Sequence, residues 1–323
     1  MRGGEISWAA LRNTVGLNRG ITMVGVRSDL RWLVAAVILL APPTHSAAAE
    51  KGVTLVHVHG LSFSPDGKRL FIPSHVGLAI YSEGKWSKAP GPEHDFMGFS
   101  ATRGALYSSG HPASGSSLRN PFGLLRSKDG GKTWEPLGLT GEADFHIMAV
   151  SYASSAVYVL NSVPNSRMRA AGIHFTTDEG KTWQANKSSG LLGKVAALAV
   201  HPSKGNVLAA ATDAGVFLSV NSGDTFSAAA AGAQALSVCF DLDGVYLWYG
   251  GYQGKATLSR MDLRTRKLDP FSIPPMTRDA VAYITQNPVK RREYAIATLA
   301  RNVYISGDGG KSWKQIAEKG ETR

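Results

Sequence analysis

Nine histidines stand out in this chain of 323 residues, because imidazole is the side chain best suited to bind transition metals near neutral pH. Two of them, in His57-Val58-His59, have the alternate spacing that points both rings to one side of a strand. Two more sit close to carboxylates, in His94-Asp95 and in Asp144-Phe145-His146. Imidazole with carboxylate is a donor set for zinc, copper, iron or nickel. On that chemistry His57, His59, His94 and His146 are expected to hold a divalent transition metal. Asp95 and Asp144 are the one carboxyl pair to nominate for glycosidic catalysis, which needs two carboxyl groups at a set separation. The same carboxylates can instead orient histidines through their second ring nitrogens. A purely structural alternative has the rings capping strand ends and satisfying buried backbone around a channel mouth.

His57 and His146 are 89 positions apart, so a fold must gather these residues, and a repeated hairpin supplies one. The stretch Ser127-Lys128-Asp129-Gly130-Gly131-Lys132-Thr133-Trp134 returns at Thr176–Trp183 and Ser306–Trp313, with a weaker copy at Ser219–Phe226. Successive copies are offset by 49, 43 and 87, the last close to double the others. A period in the forties built of strand-turn-strand units marks a radial array of four-stranded blades. Within each copy the Ser/Thr and Asp side chains accept hydrogen bonds from backbone N–H groups a few residues on. A glycine supplies the positive φ of the turn, and the closing Trp packs between blades. Asp129, Trp134, Asp178, Trp183, Asp308 and Trp313 are therefore expected to be structural.

With these hairpins as rulers the chain is expected to be an all-β propeller of six four-stranded blades; a seventh would need a blade that no stretch supplies. Inner strands are expected at 56–63, 96–101, 146–152, 195–200, 235–240 and 280–285. Worn hairpins at Ser82–Trp86 and near Asp262 serve blades one and five. Strands alternate in direction, so the repeated hairpins share one face of the disc. His57, His59, His75, His94, His111 and His146 fall on the opposite face, all in blades one to three. His174 falls in an outer strand and His201 on the hairpin face. Two long loops, 108–121 and 161–172, reach the histidine face, where loops on a rigid scaffold commonly bind ligands. His75, His111, Arg167 and Arg169 are expected to contact a small-molecule or glycan ligand there, the arginines through bidentate contacts to a carboxylate or phosphate.

The first 49 residues stand apart. Arg27 and Arg31 precede an apolar run from Trp32 to Ala41, and Ala47-Ala48-Ala49 follows. This order reads as a secretory signal peptide cleaved after Ala49, with Met23 a more ordinary start than Met1. The run is too short to span a membrane, and a periplasmic or secreted location is expected. Residues 50–323 then form a single domain, expected to be a monomer. The net charge is +11, of which residues 1–49 supply five arginines against two acids, leaving the remainder near +8. That excess is spread along the chain, so nucleic acid is not an expected partner. The single cysteine, Cys239, excludes an internal disulfide and reads as buried and inert.

The hairpin pattern S/T-x-D-x-G-x-T-W resembles the Asp-box, or bacterial neuraminidase repeat, of sialidases, sortilin-type receptors and photosystem II assembly propellers. From about Val56 onward the chain also resembles a bacterial group of exported Asp-box proteins labelled glycosyl hydrolases. The blocks that carry this likeness are His57-Val58-His59-Gly60, His94–Ser100, Ser108-Ser109-Gly110-His111-Pro112, Ala143-Asp144-Phe145-His146 and Asn165-Ser166-Arg167-Met168. The resemblance implies a propeller, and it occurs on enzymes and non-enzymes alike. A sialidase would need three arginines, for which Arg167, Arg278 and Arg301 are candidates, with Tyr283 nearby; the Arg-Ile-Pro block of such enzymes is absent. Three readings follow: a binder of metal or small ligand, a glycoside hydrolase, and a scaffold for another exported protein.

Overall fold

In the computed structural model of the chain, residues 52–154 and 156–322 are described. The expected signal peptide, its cleavage after Ala49 and the alternative start at Met23 lie outside the described residues. No helix among the described residues is long and apolar enough to cross a membrane.

Each repeated hairpin forms as its residue types require. Asp129 Oδ1 accepts from the backbone N–H of Lys132 and Thr133 at 3.1 and 3.0 Å, while Ser127 Oγ donates to Asp129 and accepts from Gly131 N–H at 2.9 Å. The same net closes around Asp178 and Asp308, and around Asn221 in the weaker copy. Hydrogen bonds from Thr133, and from Thr176 and Thr182, hold the Asp129 and Asp178 carboxyls down at about 2. Each closing aromatic precedes an outer strand: Trp134 packs on Phe96 at 4.7 Å and Trp183 on Phe145 at 5.9 Å, each within its own blade. Each also joins a core cluster shared with the preceding blade, Trp134 with Phe71 and Leu78 and Trp183 with Leu124.

These hairpins join the third and fourth strands of antiparallel sheets, of which the described residues form six. The inner strands are Ser62–Phe63, Asp95–Ala101, Met148–Val150, Val195–Val200, Gln234–Phe240 and Val281–Gln286. Each touches the next, and the last touches the first, so the array closes into a ring. The sixth sheet carries a fifth strand of two residues, Glu321–Thr322, which bridges back to Thr54, while Leu55 N–H donates to the Gly320 carbonyl. Trp86, from the worn hairpin of blade one, donates to the Ile316 carbonyl and seals the same junction.

The first inner strand is far shorter than expected, and its physical cause is Pro73. The ladder runs through Ser62↔Phe71, but Pro73 two places on has no N–H to give, so pairing stops. Only His59 N–H reaches the Pro73 carbonyl, at 3.0 Å. His57 and His59 therefore lie on irregular backbone leading into the strand. His146 likewise precedes its strand.

Blades five and six are pinned by Asp241, which is 3% exposed and accepts from Trp248 Nε1 at 2.7 Å and Tyr294 Oη at 3.0 Å. Burial pushes this carboxyl up to about 6, against those hydrogen bonds and with help from the charge of Asp243. A raised carboxyl means that the folded protein holds a proton which the unfolded chain has lost between about pH 4 and 6. Stability is thus expected to fall as pH rises through that window, by about 3 kcal/mol in all. Thermal melts across pH 4–7 should show the slope in the parent protein and a flattened one in Asp241→Asn.

Candidate metal centre

Among the described residues the histidine face holds two separate groups rather than one. In the first, donor atoms of His57, His59 and His75 all lie within 4.8 Å of one another. His57 Nδ1 is 3.2 Å from His59 Nε2, the His57 and His75 rings stack at 5.1 Å, and His59 meets both edge-on. His75 donates from Nδ1 to Asp95 Oδ2 at 2.7 Å, which leaves Nε2 as its ligating nitrogen. Asp95 Oδ1 lies 3.6 Å from His59 Nε2 and, although buried, makes no hydrogen bond. A carboxylate behind a ligating imidazole is the arrangement that fixes ring orientation at metal sites. Burial, then the neighbouring His75, lowers the His57 pKa; burial takes His59 down to about 4 despite Asp95. Both rings are neutral at pH 7, the form in which imidazole binds metal.

In the second group, His111, Asp144 and His146 also place donors within 4.8 Å of one another. Asp144 Oδ2 is 2.6 Å from His146 Nε2 and 3.1 Å from His111 Nε2. Burial raises the Asp144 carboxyl, but the hydrogen bond and charge of His146, with those of His111, outweigh it and hold it below its ordinary range. The Asp144 hydrogen bond in turn raises His146.

The two groups look onto a common space. His59 and His146 line one end of a central cavity of about 350 Å³, whose far end is walled by Pro202, Leu242 and Pro288. Tyr283 stands on its wall with a hydroxyl pushed up to about 12 by burial, so it is a neutral donor. Cys239, also on the wall, is only partly buried, and desolvation pushes its thiol up to about 12, so no thiolate is present at pH 7.

Several expected site residues are placed elsewhere. His94 belongs to neither group: it is 5% exposed, packs on Phe122 at 4.9 Å, and accepts the Ala113 N–H on Nδ1 at 2.9 Å. It braces the start of the 108–121 loop from inside. The expected quartet of His57, His59, His94 and His146 is thus divided, and His75 joins the first two. His75 and His111, expected as ligand contacts, both sit among the potential metal donors. Asp95 and Asp144 are each engaged by two histidines. Arg167 donates to the Gly180 carbonyl and Arg301 to the Val56 carbonyl, so two of the three candidate arginines are spent on backbone. Arg169 is exposed. The 161–172 loop is folded on itself: Asn161 Nδ2 donates to the Val163 and Ala170 carbonyls, and Met168, 1% exposed, plugs the core beside Phe145. His174 and His201 lie in the third strand of blade three and on the hairpin face, as the sequence suggests.

Asn120 is the residue the sequence did not single out. Its side-chain carbonyl accepts from His111 Nδ1 at 2.7 Å, fixing that ring. Its only signal was its place at the end of a Gly/Ser/Pro-rich loop.

No known protein-family profile matches the chain, and no curated protein matches it. Among solved structures, an ancestral GH74 enzyme is similar with a TM-score of 0.51 at 13% identity, over 83% of this chain and 39% of that one. The structure of YCF48 bound to D1 peptide is similar with a TM-score of 0.47 at 18% identity, over 82% of this chain and 84% of that one. This chain therefore spans well under half the length of the GH74 chain. At such identity the likeness to the GH74 enzyme shows the propeller fold alone.

Proposed function

We propose that this protein is an exported propeller that binds a divalent transition metal through His57, His59 and His75 at the mouth of its central cavity. The observation that carries the reading is the convergence of three imidazole donors within 4.8 Å, with Asp95 holding the second nitrogen of His75. Three imidazoles with a carboxylate behind them form a donor set for zinc, copper or nickel, and leave a coordination position for a small ligand. The leader of basic, apolar and small residues supports export, where such an ion would be met outside the cytoplasm. The engagement of Asp95 and Asp144 by histidines favours this reading over a glycosidase pair, for which both carboxyls would have to face the sugar. Protein stripped with a chelator and titrated calorimetrically with zinc, copper(II) and nickel is expected to take up stoichiometric metal. Absence of uptake for all three ions would refute the reading.

A further inference from the structure

We infer that His111, Asp144 and His146 form a second cation site, different in kind from the three-imidazole group and independent of it. Donor atoms sharing one ion at bond lengths of about 2.0–2.2 Å lie roughly 3.0–3.5 Å apart. Asp144 Oδ2 stands 3.1 Å from His111 Nε2 and 2.6 Å from His146 Nε2, so small side-chain movements bring the set to that spacing.

Two further observations point the same way. His111 has its Nδ1 tied to Asn120 Oδ1 at 2.7 Å, which presents Nε2 to Asp144. Asp144 also keeps a buried Oδ1 with no hydrogen-bond partner, an acceptor for which the protein supplies no donor. The side chain of His146 is 61% exposed and that of His111 is 35% exposed, so an ion held here would keep open positions toward solvent and exchange small ligands through them.

The donor sets separate the two sites chemically. Three imidazoles favour zinc, copper and nickel and hold manganese poorly. Two imidazoles with one carboxylate also accept manganese(II) and iron(II), because carboxylate oxygen suits the harder ions. The second site is therefore a site for manganese(II), iron(II) or zinc, and manganese(II) is the ion that reports on it alone.

Electron paramagnetic resonance of manganese(II) titrated into the chelator-treated protein is expected to show one bound ion per chain. Binding should persist in the His57→Ala, His59→Ala double variant. It should be lost in Asp144→Asn, which keeps the shape of the side chain, and in His111→Ala with His146→Ala. Asn120→Ala should weaken it roughly 10- to 100-fold through loss of ring orientation. Manganese binding that survives Asp144→Asn, or absence of binding in the parent protein, overturns the second site and leaves the zinc result at the first untouched. Loss of zinc uptake at the first site with manganese binding retained does the reverse. Thermal melts of each variant, run alongside, confirm that a folded protein is being read.

Discussion

The His57→Ala, His59→Ala double variant is expected to lose zinc affinity at the three-imidazole site by about 10⁴-fold. A four-ligand zinc site yields roughly 10–16 kcal/mol, or about 3 kcal/mol for each ligand, so removing two costs about 6 kcal/mol. His75 alone, even with Asp95 behind it, cannot hold a divalent ion against water. The fold should survive, because His57 is exposed and lies with His59 on irregular backbone outside any strand, so melting should move little. His94→Ala is the matched control with the opposite signature. His94 is buried against Phe122 and accepts a backbone N–H, so its loss should lower the melting temperature and leave metal content unchanged. Zinc uptake at parental affinity by the double variant carrying Asp144→Asn as well, so that His111, Asp144 and His146 cannot account for the ion, would remove the site from these residues.

Gly110→Ala is expected to be the most damaging single methyl addition near the rim. Gly110 faces Phe96 across the first two strands of blade two and has φ of 123°, a conformation that L side chains rarely adopt. A Cβ there would sit 1.9 Å from the Asp95 carbonyl oxygen and 3.1 Å from Met97 N, so the strand carrying Asp95 must move. The clash is with backbone, which cannot rotate away as a flexible side chain would. A cost of about 4 kcal/mol or more follows, lowering melting by roughly 10 °C for a domain of this size. Gly110 also precedes His111 and accepts from Phe122 N–H, so Asp95 and His111 shift together, and both zinc and manganese binding should fall. Gly104→Ala is the control: its Cβ would meet nothing within 4 Å, and stability should stay within about 0.5 kcal/mol of the parent. A Gly110→Ala protein with parental melting would show that the two strands can part without cost.

Much of the architecture was legible because it is written locally. The hydrogen bonds that close each hairpin run from Ser127 or Thr176 to groups two and four residues away, so the repeat and the turn are one fact. Residue types at fixed short spacing decide such structure whatever surrounds them. The assignment of six histidines to one rim followed from strand direction alone. The extent of the first inner strand did not, because a missing N–H on Pro73 acts across the sheet, where sequence spacing has no view.

By itself, then, the amino-acid sequence determined the six-bladed ring, the sector that gathers its imidazoles and the structural duty of Asp129, Asp178 and Asp308. Tertiary structure decided which rings meet. His94 turns inward because Phe122 and the Ala113 N–H receive it there, while His75 swings onto Asp95, twenty residues on, to complete the group begun by His57 and His59. The physical reason is range. A hairpin is settled by bonds within five residues, whereas the direction of a side chain at a blade junction is settled by whichever neighbour the closed ring brings against it.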